Sequence, residues 1–221
     1  MNNTVNTKQR IREAAVDVFA IHGFKTATVR QICEKAGANV AAVNYYFKDK
    51  QGLYAAVIED IFSAGFKAYP PDMGLDTDAP PEERLRIYIR AFFFRMIGDK
   101  GWMKYGSHAR LMVREFAEPT PALDRLVETY IRPQKEILSA IVTELLGPAA
   151  NTERLTRCTL SVAGQCLHYA VARPIIERVT EGYGPKAEDI DRITDHITRF
   201  SLGGIREIRE EFTNEKRNVK K

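Results

Sequence analysis

The stretch Thr28 to Val57, TVRQICEKAGANVAAVNYYFKDKQGLYAAV, constrains this chain more than any other. It reads as a helix, a tight turn, a short second helix and the start of a third. Ile32 and Ala36 on the first helix, Ala38 in the turn, and Val43 and Tyr46 on the second fit two helices crossing at a fixed angle. Gly37 falls where the turn requires a positive φ, which glycine adopts without steric cost. Thr28 and Gln31 have the spacing of a capping box, and Asn39 can cap the second helix. The outward face of that helix is then Val40, Ala41, Ala42, Asn44 and Tyr45. A surface so stripped of bulk and charge has little reason to pack on its own protein, and it suits close approach to base edges in a major groove.

The charge distribution points the same way. The chain carries a net charge of +4 over 221 residues. Residues 1–54 hold eight Lys or Arg against four Asp or Glu, so the whole surplus lies in the segment with the helix-turn-helix pattern. A phosphate-binding module requires such a surplus. The remainder, with 44% hydrophobic and 28% charged residues overall, has an ordinary globular composition and is long enough to bury a sizeable core. No apolar run approaches the roughly 18 residues of a membrane span, and MNNTVNTKQR lacks the apolar segment of a secretion signal, so a cytoplasmic protein is expected. Cys33, Cys158 and Cys166 are too few and scattered for a disulfide framework or a Cys-x-x-Cys metal site.

Helical periodicity runs through the rest of the chain. Residues 7–22 form a first helix with Ile11, Ala15, Val18 and Phe19 on one stripe, stopped by Gly23, and Phe24 folds back as a plug. Asp49 caps a fourth helix that links head to body, reaching about residue 66. The proline-rich stretch Lys67 to Pro81 is a loop. Leu85, Tyr88, Ile89, Phe92, Phe93 and Met96 line the next helix. A further one carries His108, Leu111, Met112 and Glu115. Thr120 caps a long segment to Leu146, kinked at Pro133. Two more long helices are expected at about Thr152 to Val179, buried on several sides, and Ala187 to Phe212, with Gly203-Gly204 able to bend or break it and a frayed tail from Thr213. With no alternating pattern for a sheet, the fold is all-α: an N-terminal three-helix helix-turn-helix domain, residues 1–54, and a larger helical domain, residues 67–221.

These residues resemble the TetR/AcrR family of bacterial transcriptional regulators. The resemblance rests on FAIHGFKTATVRQICEKAGANVAAVNYYFKDKQGLYAAVI, and secondly on EPTPALDRLVETYIRPQ and SVAGQCLHYAVARPII, which are similar to the C-terminal domain of the CecR-like subgroup. Cys33 stands where such motifs usually have alanine, and a thiol is small enough to fit. The resemblance implies a DNA-binding repressor acting on an inverted-repeat operator. It also implies a homodimer through the last two long helices, a body enclosing a small-molecule effector site, and target genes for transport or efflux. Carried onto this sequence, Thr28 with Tyr45, Lys48 and Lys50 would touch phosphates, while Asn39, Ala41, Ala42 and Asn44 would face bases beside Val40.

For the effector, Phe92, Met96, Trp102, His108, Met112, Tyr130, Cys166 and Tyr169 are the candidates. Each alone is as well explained by core packing, but together they suit an adaptable apolar cavity. Arg110, Arg114 and Glu115 are polar anchors for such a cavity or partners of one another on a helix face. A metal- or thiol-responsive regulator using Cys166, His168 or His108 is the alternative, although residues two apart on a helix point to different sides. A Cys-dependent helical enzyme meets the same objection, and no phosphate loop or Ser-His-Asp arrangement occurs. The expectation is therefore no enzyme, no metal and no cofactor.

Overall fold

The computed structural model describes residues 2–76, 78–103, 106–181 and 183–219, and its regular structure is helical, with no strand among the described residues. This is the all-α class read from the periodicity. The chain forms two units. One takes in residues up to Gly65 together with Trp102–Tyr130; the other takes in Phe66–Gly101 and the chain from Ile131 on.

In the first unit, α1 (Asn2–Thr26) starts earlier than the periodicity suggests and leaves helical geometry at Gly23, φ 75°. The stop has a conformational reason, a positive φ that glycine adopts without steric cost, and the Arg114 side chain lies against the glycine. Ile11, Ala15, Val18 and Phe19 are buried, as their spacing requires. α2 (Val29–Ala36) and α3 (Val40–Phe47) follow, then α4 (Lys50–Ala68), whose first turn is capped by Asp49 Oδ1 accepting from the Gly52 N–H at 2.7 Å. Phe24 is half-buried, its ring 4.9 Å from that of Tyr54 on α4 and 6.3 Å from Phe19. α6 (Gly106–Ala117) packs along α1, and α7 (Pro121–Leu126) follows under the Thr120 cap.

In the second unit, α5 (Pro81–Ile97) is the central rod, with Leu85, Ile89 and Phe93 fully buried. α8 (Arg132–Leu146), α9 (Thr152–Val171) and α11 (Ile190–Val219) pack around it. The expected kink at Pro133 takes the form of a π-helical turn, Val127–Ile131, ahead of α8. Proline has no N–H for the carbonyl four residues back and its ring crowds that carbonyl, so the turn widens.

Three expectations for this unit are corrected. The helix from Thr152 does not run on to Val179: Pro174 breaks it at Ala172, and α10 (Arg173–Val179) starts afresh. α9 is not buried on several sides, since Leu160 and Leu167 are exposed while Cys158, Val162, Cys166 and Ala170 form the inner face. α11 neither breaks at Gly203-Gly204 nor ends at Phe212. Two helical glycines cost about 1 kcal/mol each, and the buried Ile190, Ile193, Ile197 and Ile205 more than offset that. The residues after Phe212 stay helical, with the Arg154 guanidinium 4.9 Å from the Phe212 ring and 3.7 Å from Glu215.

Candidate nucleic-acid interface

Local chemistry sets the helix-turn-helix. The Thr28 Oγ1 accepts from the Gln31 N–H at 3.2 Å, while the Gln31 Oε1 accepts from the Thr28 N–H at 2.9 Å, closing the capping box. Gly37 adopts φ 59°, and the next N–H, that of Ala38, donates to the Cys33 carbonyl at 3.0 Å. Asn39 Oδ1 then accepts from the Ala42 N–H at 2.9 Å and starts α3. Ile32, Cys33, Val43 and Phe47 are buried beneath, and Tyr46 is half-buried. The thiol at position 33 therefore does the packing work of a small apolar residue, and burial pushes its pKa up.

With the inner face fixed, the outer face follows. Asn39, Val40, Ala41, Asn44 and Lys48 are exposed, Ala42 is half-buried, and Tyr45 is 81% exposed with its ring 4.9 Å from that of Tyr46. Thr28 is exposed at the start of α2. α3 ends at Lys48, whose φ of 69° is costly for a residue with a Cβ and whose N–H donates to the Asn44 carbonyl at 3.1 Å. Lys50 is placed differently: its Nζ donates to the carbonyls of Lys25 and Ala27 at 3.2 and 3.1 Å and sits 4.8 Å from the Phe24 ring. Its charge ties the end of α1 to the start of α4. Behind α3, Lys8 and Arg12 lie 5.9 and 5.7 Å from the Phe47 ring. Asp17 accepts from Lys35 at 2.9 Å and from Ser107 at 2.8 Å, and these bonds hold its carboxyl below the usual range.

The structure divides the eight effector candidates between the two units. In the first, Trp102 stacks on Phe62 at 4.1 Å and Tyr130 lies 5.8 Å from the same ring; Met112 is buried and His108 half-buried, its pKa lowered by burial. In the second, Met96 and Cys166 are buried and Phe92 and Tyr169 half-buried. None of the eight lines the open groove of about 310 Å³ between α8 and α9, which is walled by Lys135, Ser139, Thr143, Asn151, Leu155 and Thr159. Glu115 is not an anchor for a cavity: it is fully buried, its Oε2 accepting from the Tyr54 hydroxyl at 2.7 Å and its Oε1 from the Thr120 N–H and Oγ1 at 2.9 Å each. Arg114 lies against Gly23, and Arg110 is exposed.

Cys166 and His168 point apart, the thiol buried and the imidazole exposed. Burial pushes the Cys166 thiol up to about 12, so the thiol stays protonated at neutral pH. Among the described residues no group of three His, Cys, Asp or Glu is placed to hold a metal ion, and no helix is long and apolar enough to cross a membrane. Sequence reasoning passed over Arg95, buried in the second unit. The signal was present, a lone charge inside the apolar run AFFFRMI.

Comparison with known proteins agrees with this geometry. Residues 11–57 match the bacterial regulatory proteins of the tetR family, and residues 81–205 match the C-terminal domain of the HTH-type transcriptional dual regulator CecR. The chain is 36% identical over 206 residues to the HTH-type transcriptional regulator RutR of Escherichia coli K12, covering 90% of each. It is 27% identical over 187 residues to CecR of Shigella flexneri, covering 80% of this chain and 83% of that protein. The fold is similar to the structure of the transcriptional regulator FadR from Bacillus subtilis in complex with stearoyl-CoA, with a TM-score of 0.62 at 18% identity over 89% of this chain and 98% of that one.

Proposed function

Because the chain belongs to the TetR family of bacterial regulatory proteins, with a C-terminal domain of the CecR type, we propose that this DNA-binding transcriptional regulator is a repressor. It is released from an inverted-repeat operator when a small, largely apolar effector binds the C-terminal domain, and it controls genes of transport or efflux. The observation that carries the reading is the outer face of α3. Its backbone is capped at Asn39 and its inner side buried, yet Val40, Ala41, Asn44 and Tyr45 are left bare. Two alanine-sized side chains allow the helix backbone close to base edges, and Asn44 supplies the donor and acceptor that read them. Thr28, Tyr45 and Lys48 flank that face as phosphate contacts, whereas Lys50 supports the site from behind.

The second copy docks through α9 and α11. Leu160 and Leu167 on one, and Phe200 on the other, form exposed apolar stripes interrupted by Gly164, Gly203 and Gly204, where an added Cβ would meet nothing. Such stripes suit close helix packing in a two-fold pair, which presents two α3 helices to two half-sites. Effector binding lifts repression only if it favours a conformation that the operator does not.

Gel shifts on a palindromic series test the reading. Tyr45→Ala and Lys48→Ala are each expected to weaken binding about tenfold at every sequence, and Lys48→Ala alone to lower the salt dependence, because only it removes a charge from a phosphate. Asn44→Ala is expected to relax preference at one base pair of each half-site, a loss of about 1–3 kcal/mol in discrimination. Equal loss for all four bases at every position after Asn44→Ala would contradict the base-reading role.

A further inference from the structure

A buried guanidinium with no acid beside it stands in the second unit. Arg95, 2% exposed, donates from Nη1 to the Tyr69 carbonyl at 2.9 Å and from Nη2 to Gln134 Oε1 at 3.1 Å, and lies 4.6 Å from the Phe66 ring. All three partners are neutral. Burial lowers its pKa to about 10, opposed only by the Tyr88 phenol, so it remains protonated at neutral pH. The other arginines of α5 make the contrast: Arg84 pairs with Glu144, Arg86 with Asp195 at 2.7 Å and Arg90 with Asp191 at 2.6 Å. Solvent already screens those three. The one arginine taken fully out of water, where an uncompensated charge costs most, is the one without a carboxylate.

A second observation lies two turns earlier on the same face of α5. Tyr88 is 8% exposed, burial pushes its phenol up to about 12, and it is within electrostatic reach of both Arg95 and Cys166. No hydrogen bond from a described residue reaches its hydroxyl. A buried cation with no acid beside it and a largely buried phenol thus lie two turns apart on α5, close enough to feel one another's charge.

We infer that Arg95 and Tyr88 bind a carboxylate, the head group of the otherwise apolar effector; this rests on the ligand-responsive reading above. Two of the five guanidinium N–H groups are used by Tyr69 and Gln134, which leaves a carboxylate its donors, and the Tyr88 hydroxyl adds another. One carboxylate neutralises one guanidinium. A phosphate monoester, carrying about −1.5 to −2 at pH 7, leaves a surplus negative charge buried instead. The site also bears on DNA binding. Tyr69, whose carbonyl Arg95 holds, follows directly on α4, the helix that begins three residues after Phe47. A carboxylate on the remaining donors draws the guanidinium toward itself and so alters its hold on the Tyr69 carbonyl at the end of α4.

The test uses the full chain with benzoate and octanoate as probes, benzamide, octanamide and octyl phosphate as controls, and chloride at matched ionic strength. The carboxylates are expected to raise the unfolding midpoint above the chloride reference, and the amides and octyl phosphate are not. Arg95→Gln is expected to weaken carboxylate binding about a hundredfold, and Tyr88→Phe about tenfold, as loss of charge-assisted and single hydrogen bonds does. A midpoint indifferent to the carboxylates, equal binding of octyl phosphate, or undiminished binding in a cooperatively melting Arg95→Gln overturns the assignment. If Arg95→Gln does not fold, Tyr88→Phe decides: it keeps the ring, and unchanged affinity overturns the site. Gel shifts separate the two readings. Carboxylate binding without any DNA release keeps the Arg95 site and overturns the ligand-released repressor. DNA release by neutral apolar compounds alone does the reverse.

Discussion

Glu115→Ala is expected to destabilise the N-terminal unit by about 3 kcal/mol or more, the largest single-residue effect in this protein outside its apolar core. Glu115 is fully buried and satisfies three donors at once: the Tyr54 hydroxyl, and the N–H and hydroxyl of Thr120. Alanine removes the acceptor but not the donors, and each stranded buried donor costs about 1–3 kcal/mol. The damage does not stay local. The Tyr54 ring is 4.9 Å from both Phe19 and Phe24, so a Tyr54 that turns away to find water disrupts the packing of α1 on α4 on which α2 and α3 rest. Glu115→Gln keeps an oxygen for Thr120 and is expected to cost about 1 kcal/mol. Urea unfolding of Glu115→Ala, Tyr54→Phe and the double variant reads the coupling directly. Strict additivity, or a loss below about 1 kcal/mol for Glu115→Ala, would show that the network does not hold the unit together.

Why the helix-turn-helix was legible and Glu115 was not comes down to the range of the interactions. Thr28 with Gln31, Asn39 with Ala42 and Asp49 with Gly52 are contacts three residues apart, and the positive φ at Gly37 is a property of one residue, so spacing alone locates them. The same holds for Pro133, whose missing N–H acts four residues back. Pro174 obeys the same rule and breaks the expected helix at Ala172, and Ile175 and Val179 beyond it are exposed. Glu115 meets Tyr54 across 61 positions, and Arg95 meets Tyr69 and Gln134 across 26 and 39. No local pattern encodes such partners, and a charge in a helix reads by default as a solvated face. Lys50 is likewise beyond local pattern: its ammonium reaches back 25 and 23 positions to the carbonyls of Lys25 and Ala27.

Splitting the pair is expected to cost more affinity for DNA than any change on α3. Leu160 is 65% exposed and Phe200 67% exposed, both on helices whose inner faces are committed to the core of their own unit. Leu160→Asp combined with Phe200→Asp therefore leaves each chain's own packing intact but sets four carboxylates in the two-fold contact, where charge is not tolerated without partners. A single head keeps its phosphate and base contacts. What it loses is the effective concentration with which the first half-site delivers the second head, about 10²–10⁴-fold in affinity for a linked pair. Sedimentation is expected to report a monomer with unchanged helical circular dichroism, and gel shifts a loss of that size on a two-half-site operator but none on an isolated half-site. A variant that remains dimeric would place the contact elsewhere on the chain. A folded monomer that binds the full operator as well as the parent would instead mean that spacing between heads plays no part in recognition, and that α3 alone carries the specificity.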